Sequence, residues 1–453
     1  MMNIMRYILS ITLALIFWQC DIKTDDFATS AGEADFAVYV ALGDSYSAGY
    51  MDGALGLEGQ QTSLPAMLAE QFKLVGGGEF KQPLMPEGKS AGTTVIDQSG
   101  NINGYFELKV VGGALRPVPT VGDKTVFSQL IGSEAPFNNM SVPGAKSFHL
   151  LAPAFSNPVG GNPFFVRFAK QPGVSSVISD ALKLEATFFS LWIGGNDVLT
   201  YALSGGTSDI ITPLESFQMA LSTLITELTM LGSKGVIANI PDIDALPYFN
   251  LVPYNALPLS QVQADQLNAA YAQYNLAANG AGRPAIVFVA GQNAMVIADP
   301  KMTDMPTQLR FRQIKANEKF LMNLPTDKIA TEGWGSQVPV PANYTLDADD
   351  LQKIKAATTG YNEIIKTLAT ENGLAFVDIN ELMNQIKAGL VVDGHTYSNN
   401  FVTGGVLSLD GIHATPRGYA IIANEFIRAI NNTYKASVPL VNVNDYSTVI
   451  FPL

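Results

Sequence analysis

Four short apolar runs, each ending in a sharp polar turn, constrain the fold of this chain more than any other feature. Val38 to Leu42 stops at Gly43-Asp44-Ser45, and Phe188 to Ile193 stops at Gly194-Gly195-Asn196-Asp197. Gly235 to Ile240 ends at Pro241-Asp242, and Leu374 to Ile379 ends at Asn380. Short apolar runs bounded by Gly, Pro and Asn suit strands of a parallel sheet buried on both faces. Between them lie helical patterns: Leu214 to Met230, Leu351 to Thr370 with Gly373 as a stop signal, and Pro416 to Ile430, where Pro suits a first helical turn. Strands alternating with helices predict an open α/β sheet that binds ligands at the carboxyl ends of its strands.

The composition agrees. Of 453 residues, 47% are hydrophobic and 15% charged, which supplies a large core and excludes a disordered chain. The net charge of −13 argues against a phosphate-backbone partner, so no nucleic acid is expected. Three His and one Cys exclude a disulfide framework, a Cys-rich zinc site and a His-rich metal cluster.

The single Cys, Cys20, closes an N-terminal segment. Residues 1–19 lack Asp and Glu, Arg6 precedes an apolar run from Ile8 to Trp18, and polar residues follow Gln19-Cys20-Asp21. The run is too short to span a membrane but suits a signal-peptide core. It resembles a bacterial lipoprotein signal, although Gln19 stands where a small residue is usual. That resemblance implies a signal at 1–19, lipid attachment at Cys20, a polar tether over 20–36, and a membrane partner reached through the anchor. The expected location is the bacterial cell envelope, periplasm-facing or at the cell surface.

At ~150 residues per domain the length suggests about three domains. Residues 51–130, rich in Gly and turn signals, and 243–345, with a helix at 261–278 and a hairpin at Ile286 to Ala298 around Gly291-Gln292-Asn293, break the strand–helix alternation. Both read as insertions near the site within one domain at 37–435. The tail, 436–453, alternates weakly, as an added edge strand would.

Four blocks far apart in the chain carry the chemistry. They are Gly43-Asp44-Ser45-Tyr46-Ser47-Ala48-Gly49, Asn139-Met140-Ser141-Val142-Pro143-Gly144-Ala145, Gly194-Gly195-Asn196-Asp197, and Asp410-Gly411-Ile412-His413. Each alone is weak. Together and in this order they resemble the SGNH (GDSL-type) hydrolases, and segment 49–85 is similar to large bacterial lipoproteins of that family. The resemblance implies a three-layer α/β/α, flavodoxin-like fold with a mainly parallel sheet of about five strands plus insertions. It also implies a serine esterase that needs no metal or organic cofactor.

A serine hydroxyl needs a base within ~3 Å to become a nucleophile. His413 suits that role, and Asp410, three residues earlier, suits orientation of its imidazole. The family's oxyanion donors fall on the N–H groups of Ser45 and Gly144 and on the Asn196 side chain. A residue without Cβ at 144 lets the backbone approach a substrate closely. The substrate the resemblance implies is an ester of small-molecule, lipid or glycan type, with lipase and carbohydrate deacetylase activities both open. Oligomeric state is not legible. The rival reading is a non-catalytic surface lipoprotein that binds glycan or lipid on the same fold.

The remaining candidates read as structural or solvated. Asp44 and Asp197 suit local hydrogen bonding, His149 lies just beyond the second block, and His395 sits in a polar loop. Trp192 reads as core, and Trp334 as structural or a substrate contact. Gly88-Lys89-Ser90 is no phosphate loop, because Pro83 occupies the first glycine position. Ser47 stands where a nucleophile elbow requires Gly, which argues against the α/β-hydrolase fold.

Overall fold

The computed structural model describes residues 28–111 and 113–452. The signal segment and Cys20 lie outside the described residues. The frame elements, in chain order, are β1 (Tyr39–Gly43), α1 (Ser45–Ala48), β2 (Phe188–Trp192), α2 (Gly195–Leu203), α3 (Leu214–Thr229), β3 (Lys234–Ala238), α4 (Ala348–Glu371), β4 (Ala375–Val377) and α5 (Pro416–Tyr434). The strands form one parallel sheet in the spatial order β1-β2-β3-β4. All residues of β1 and β2 are buried, which explains their unbroken apolar character.

A fifth lane runs outside β1. Ala41 N–H donates to the Asn138 carbonyl at 2.8 Å, and Met140 N–H to the Ala41 carbonyl at 2.8 Å. Val142 N–H donates to the Gly43 carbonyl at 3.0 Å. This pairing brings the second block level with the end of β1, so the expected sheet of about five strands is four strands and this lane.

Helices cover both faces in the three-layer arrangement. Phe188 packs on Phe36, on Phe72 of the helix Leu64–Lys73 and on Tyr434 of α5, while Trp192 meets Phe426 of α5. Elsewhere α3 and α4 join through stacked Phe217 and Tyr361, with ring centroids 4.2 Å apart. Gly194, at the end of β2, has φ +120°, and a Cβ there would lie 2.9 Å from the Phe217 ring. Gly194→Ala is expected to destabilise the fold by about 1–3 kcal/mol, read as a lower urea midpoint, because it adds backbone strain to the clash.

The two insertions behave differently. In the first, Asn103–Val111 and Ala114–Val121 form an antiparallel hairpin. The second builds its own apolar core around Tyr271, Phe288, Met295 and Phe320. The expected helix at 261–278 is two helices, Gln261–Ala270 and Ala272–Gly280, interrupted at Tyr271. The expected hairpin at 286–298 does not form. Gly291–Asn293 pairs instead with Leu257–Leu259, and Val296–Ala298 with Phe311–Gln313.

The edge strand expected in the tail is also absent among the described residues. Side-chain amides of α5 take its backbone groups. Asn431 accepts from Val438 N–H at 2.9 Å and donates to its carbonyl at 2.9 Å, and Asn424 does the same for Val441 at 2.8 and 3.0 Å. With those groups satisfied, no sheet ladder is needed.

Candidate active site

Ser45 opens α1 directly after β1. The Asp44 carboxylate caps that turn by accepting from Tyr46 N–H at 3.0 Å. As the first helical residue, Ser45 has an N–H without an intrahelical partner. The turn ends at Gly49, φ +85°, where a Cβ would overlap the Gly59 carbonyl.

Three residues separated by up to 368 positions meet here. His413 Nε2 lies 2.8 Å from Ser45 Oγ, and His413 Nδ1 lies 2.8 Å from Asp410 Oδ2. All three are buried. The Asp410 carboxylate is saturated with donors. Oδ1 accepts from the N–H groups of Ile412 at 2.9 Å and His413 at 2.8 Å, and from Ser408 Oγ at 3.2 Å. Oδ2 also accepts from Gly53 N–H at 2.9 Å. Burial alone would raise its pKa, but the His413 charge and these hydrogen bonds outweigh that and hold it at about 2. The arrangement keeps Asp410 ionised beside an imidazole whose far nitrogen faces a hydroxyl. It can draw a proton from Ser45 and stabilise the resulting cation.

The imidazole is held between two rings, with centroids of Tyr46 and Tyr50 at 5.1 and 4.7 Å. Tyr46 OH donates to the Ile412 carbonyl at 3.0 Å, and Tyr419 OH to the Tyr50 carbonyl at 2.8 Å. The second insertion braces the same loop, since Tyr248 N–H donates to the Gly411 carbonyl at 3.1 Å.

The second and third blocks are tied together. Asn196 Nδ2 donates to the Ala145 carbonyl at 3.0 Å. An amide nitrogen carries two hydrogens, so one remains for a ligand. Asp197 accepts from Ser147 N–H at 2.7 Å and Ser147 Oγ at 2.8 Å. Burial pushes the Asp197 carboxyl up, against these bonds. Gly144 has φ +79° and is exposed, and its N–H donates to nothing among the described residues.

The residues read as structural or solvated lie outside this constellation. His149 Nδ1 accepts from Lys146 N–H at 3.1 Å and its ring stacks on Phe155. Burial lowers its pKa to about 4, so it is neutral at pH 7. His395 is exposed on a two-stranded hairpin. Trp334 packs against the second core. Asp44 is pushed up to about 7 by burial.

Asp52 was not singled out by the sequence. It adopts φ +47°, accepts from Leu409 N–H at 2.7 Å, and donates its own N–H to Ser408 Oγ at 3.0 Å. It thereby clamps the segment before Asp410, and burial pushes its carboxyl up to about 7. The available signal was the Asp52-Gly53 dipeptide, a turn marker that says nothing of the distant partner.

A profile of the GDSL-like Lipase/Acylhydrolase family matches residues 39–307. The chain belongs to that family. The match spans Ser45, Gly144 and Asn196 of this GDSL-like hydrolase and stops before Asp410 and His413, which only the folded chain brings to Ser45. The protein is thus a hydrolase acting on esters. No curated protein matches the chain. Among solved structures it is similar to an acetylxylan esterase from Geobacillus stearothermophilus, with 11% identity, TM-score 0.34, and coverage of 88% of this chain and 96% of that one. An α/β hydrolase enzyme from the metagenome of Lake Arreo, Spain, has 11% identity, TM-score 0.37, and coverage of 88% and 96%. An extracellular lipase from Streptomyces rimosus has 12% identity, TM-score 0.33, and coverage of 88% and 99%. Likeness this distant leaves the substrate open.

Proposed function

We propose that the protein is a serine esterase working through an acyl-enzyme. The observation that carries this is the unbroken line from the Asp410 carboxylate through His413 to Ser45 Oγ, with 2.8 Å at each contact. Ser45 Oγ attacks the ester carbonyl carbon as its proton passes to His413 Nε2, and Asp410 stabilises the imidazolium. The N–H groups of Ser45 and Gly144 and the free hydrogen of Asn196 Nδ2 receive the oxyanion. Collapse of the intermediate expels the alcohol, which takes the proton from His413. Water then attacks the acyl-enzyme with His413 as base, releasing the acid and restoring Ser45.

The substrate is a carboxylic ester, either a lipid acyl ester or an acetylated carbohydrate, and Cys20 carries a lipid that holds the enzyme at the cell envelope. A fluorophosphonate probe tests the reading. Stoichiometric labelling mapped to Ser45 is expected, and a folded protein that takes no label would favour a binding module instead. A chain-length series of esters, run beside acetylated sugars, separates the substrate classes.

Asn196→Ala removes one oxyanion donor and also frees the Ala145 carbonyl. We expect kcat for p-nitrophenyl acetate to fall about 100- to 1,000-fold with KM little changed. A fall in affinity alone would remove Asn196 from the oxyanion site.

A further inference from the structure

We propose that a groove in the second insertion, beside the helix Gln261–Ala270, binds a neutral carbohydrate chain. The groove encloses about 510 Å³, and its walls include Tyr271, Tyr274 and Phe311, with Gln263, Gln266 and Gln337 among them. That volume lies within the ~300–1,000 Å³ of small-molecule sites.

Three observations select the ligand. First, no Lys, Arg, Asp, Glu or His lines the groove. A charged ligand group would lose water there without gaining a partner, so the ligand is neutral. Second, the amides of Gln266 and Gln337 are exposed and make no hydrogen bond among the described residues. Gln263 Oε1 accepts from Ser260 N–H at 2.8 Å and Oγ at 2.9 Å, leaving its NH₂ available. Amides offer both donors and acceptors, which complements hydroxyl groups. An acyl chain would use none of them.

Third, the aromatic wall is fixed in advance. Tyr271 OH donates to the Ser336 carbonyl at 2.6 Å, and Tyr274 OH donates to the Phe311 carbonyl. The Tyr274 and Phe311 rings stack with centroids 4.4 Å apart. Tyr271 and Tyr274 are buried and hold the wall from behind, while the half-buried Phe311 offers the ligand an apolar surface that loses little freedom on binding. A sugar ring has the matching two-sidedness, a C–H face for the rings and hydroxyl edges for the amides.

Binding is read without turnover, on the full chain carrying Ser45→Ala. Affinity electrophoresis in gels containing arabinoxylan, glucomannan or hydroxyethyl cellulose is expected to retard it in at least one, with calorimetry on the corresponding oligosaccharide giving the affinity. Adding Gln266→Ala and Gln337→Ala, both exposed positions, should weaken that affinity about tenfold or more while the thermal midpoint stays unchanged. No retardation in any of the three gels overturns the proposal, as does retardation that survives the double replacement. Saturable binding of laurate displaced by replacing Ala270 with Trp, in a protein that ignores the polysaccharides, assigns the groove to acyl chains instead. A failed esterase reading would leave these results intact.

Discussion

Ser45→Ala is expected to lower kcat for short-chain p-nitrophenyl esters about ten-thousand-fold or more, with the folded structure preserved. Removing the nucleophile of such a unit abolishes covalent catalysis, and what remains over water comes from the oxyanion donors and binding. The substitution deletes one hydroxyl from a buried position and leaves His413 Nε2 without its partner at 2.8 Å. Because Asp44 caps α1 through Tyr46 N–H, the turn that carries residue 45 does not depend on the serine side chain. Circular dichroism should therefore overlay on that of the parent. Turnover persisting within tenfold of the parent would remove Ser45 from the mechanism.

Asp410→Asn should lower kcat about ten-thousand-fold as well, for a different reason. Asn is nearly isosteric, but its amide cannot stabilise an imidazolium, and an NH₂ facing Nδ1 favours the wrong tautomer. The variant also reports on stability. The Asp410 pKa is about 2 in the folded chain against an ordinary value of 3.8. A depressed carboxylate pKa contributes stability that is fully present above about pH 4 and is lost as pH falls through 2. The separation corresponds to about 2 kcal/mol. The acid limb of the parent's stability curve between pH 4 and 2 should therefore be steeper than that of Asp410→Asn, measured by urea unfolding at fixed pH. Equal limbs would mean that the carboxylate is not selectively stabilised in the fold.

Much of the frame was legible in the sequence. β1 to β4 begin and end within two residues of the apolar runs, because strands buried on both faces have no solvent-facing positions to interrupt them. The helices α3, α4 and α5 follow their apolar periodicity and stop signals in the same way. The fifth lane was illegible as a strand, since Asn138, Asn139 and Ser141 give it a polar character. The two amides pair with backbone, Asn138 Nδ2 donating to the Tyr39 carbonyl at 2.8 Å and Asn139 Nδ2 to the Ser47 carbonyl at 3.2 Å, while Ser141 Oγ is buried without a partner among the described residues. In the second insertion, the turn-like Gly291-Gln292-Asn293 is itself a strand. Local patterning marks extended backbone but does not name its partner, and Leu257–Leu259 lies more than thirty residues away.

The site divides along the same line. Ser45, Gly144, Asn196, Asp410 and His413 were readable because each lies in a short block whose residue types have few other reasons to occur together. The sequence by itself determined the candidate reactive groups, their order, and the strand ends where two of the blocks stand. Only the tertiary structure decided what surrounds them. Asp52 clamps the Asp410 loop across 357 positions, Tyr46 and Tyr50 confine the imidazole, and Tyr248 braces Gly411 from the insertion. The physical reason is that these contacts join residues far apart in the chain. Periodicity and turn chemistry reach only a few residues along it, while packing selects partners across its whole length.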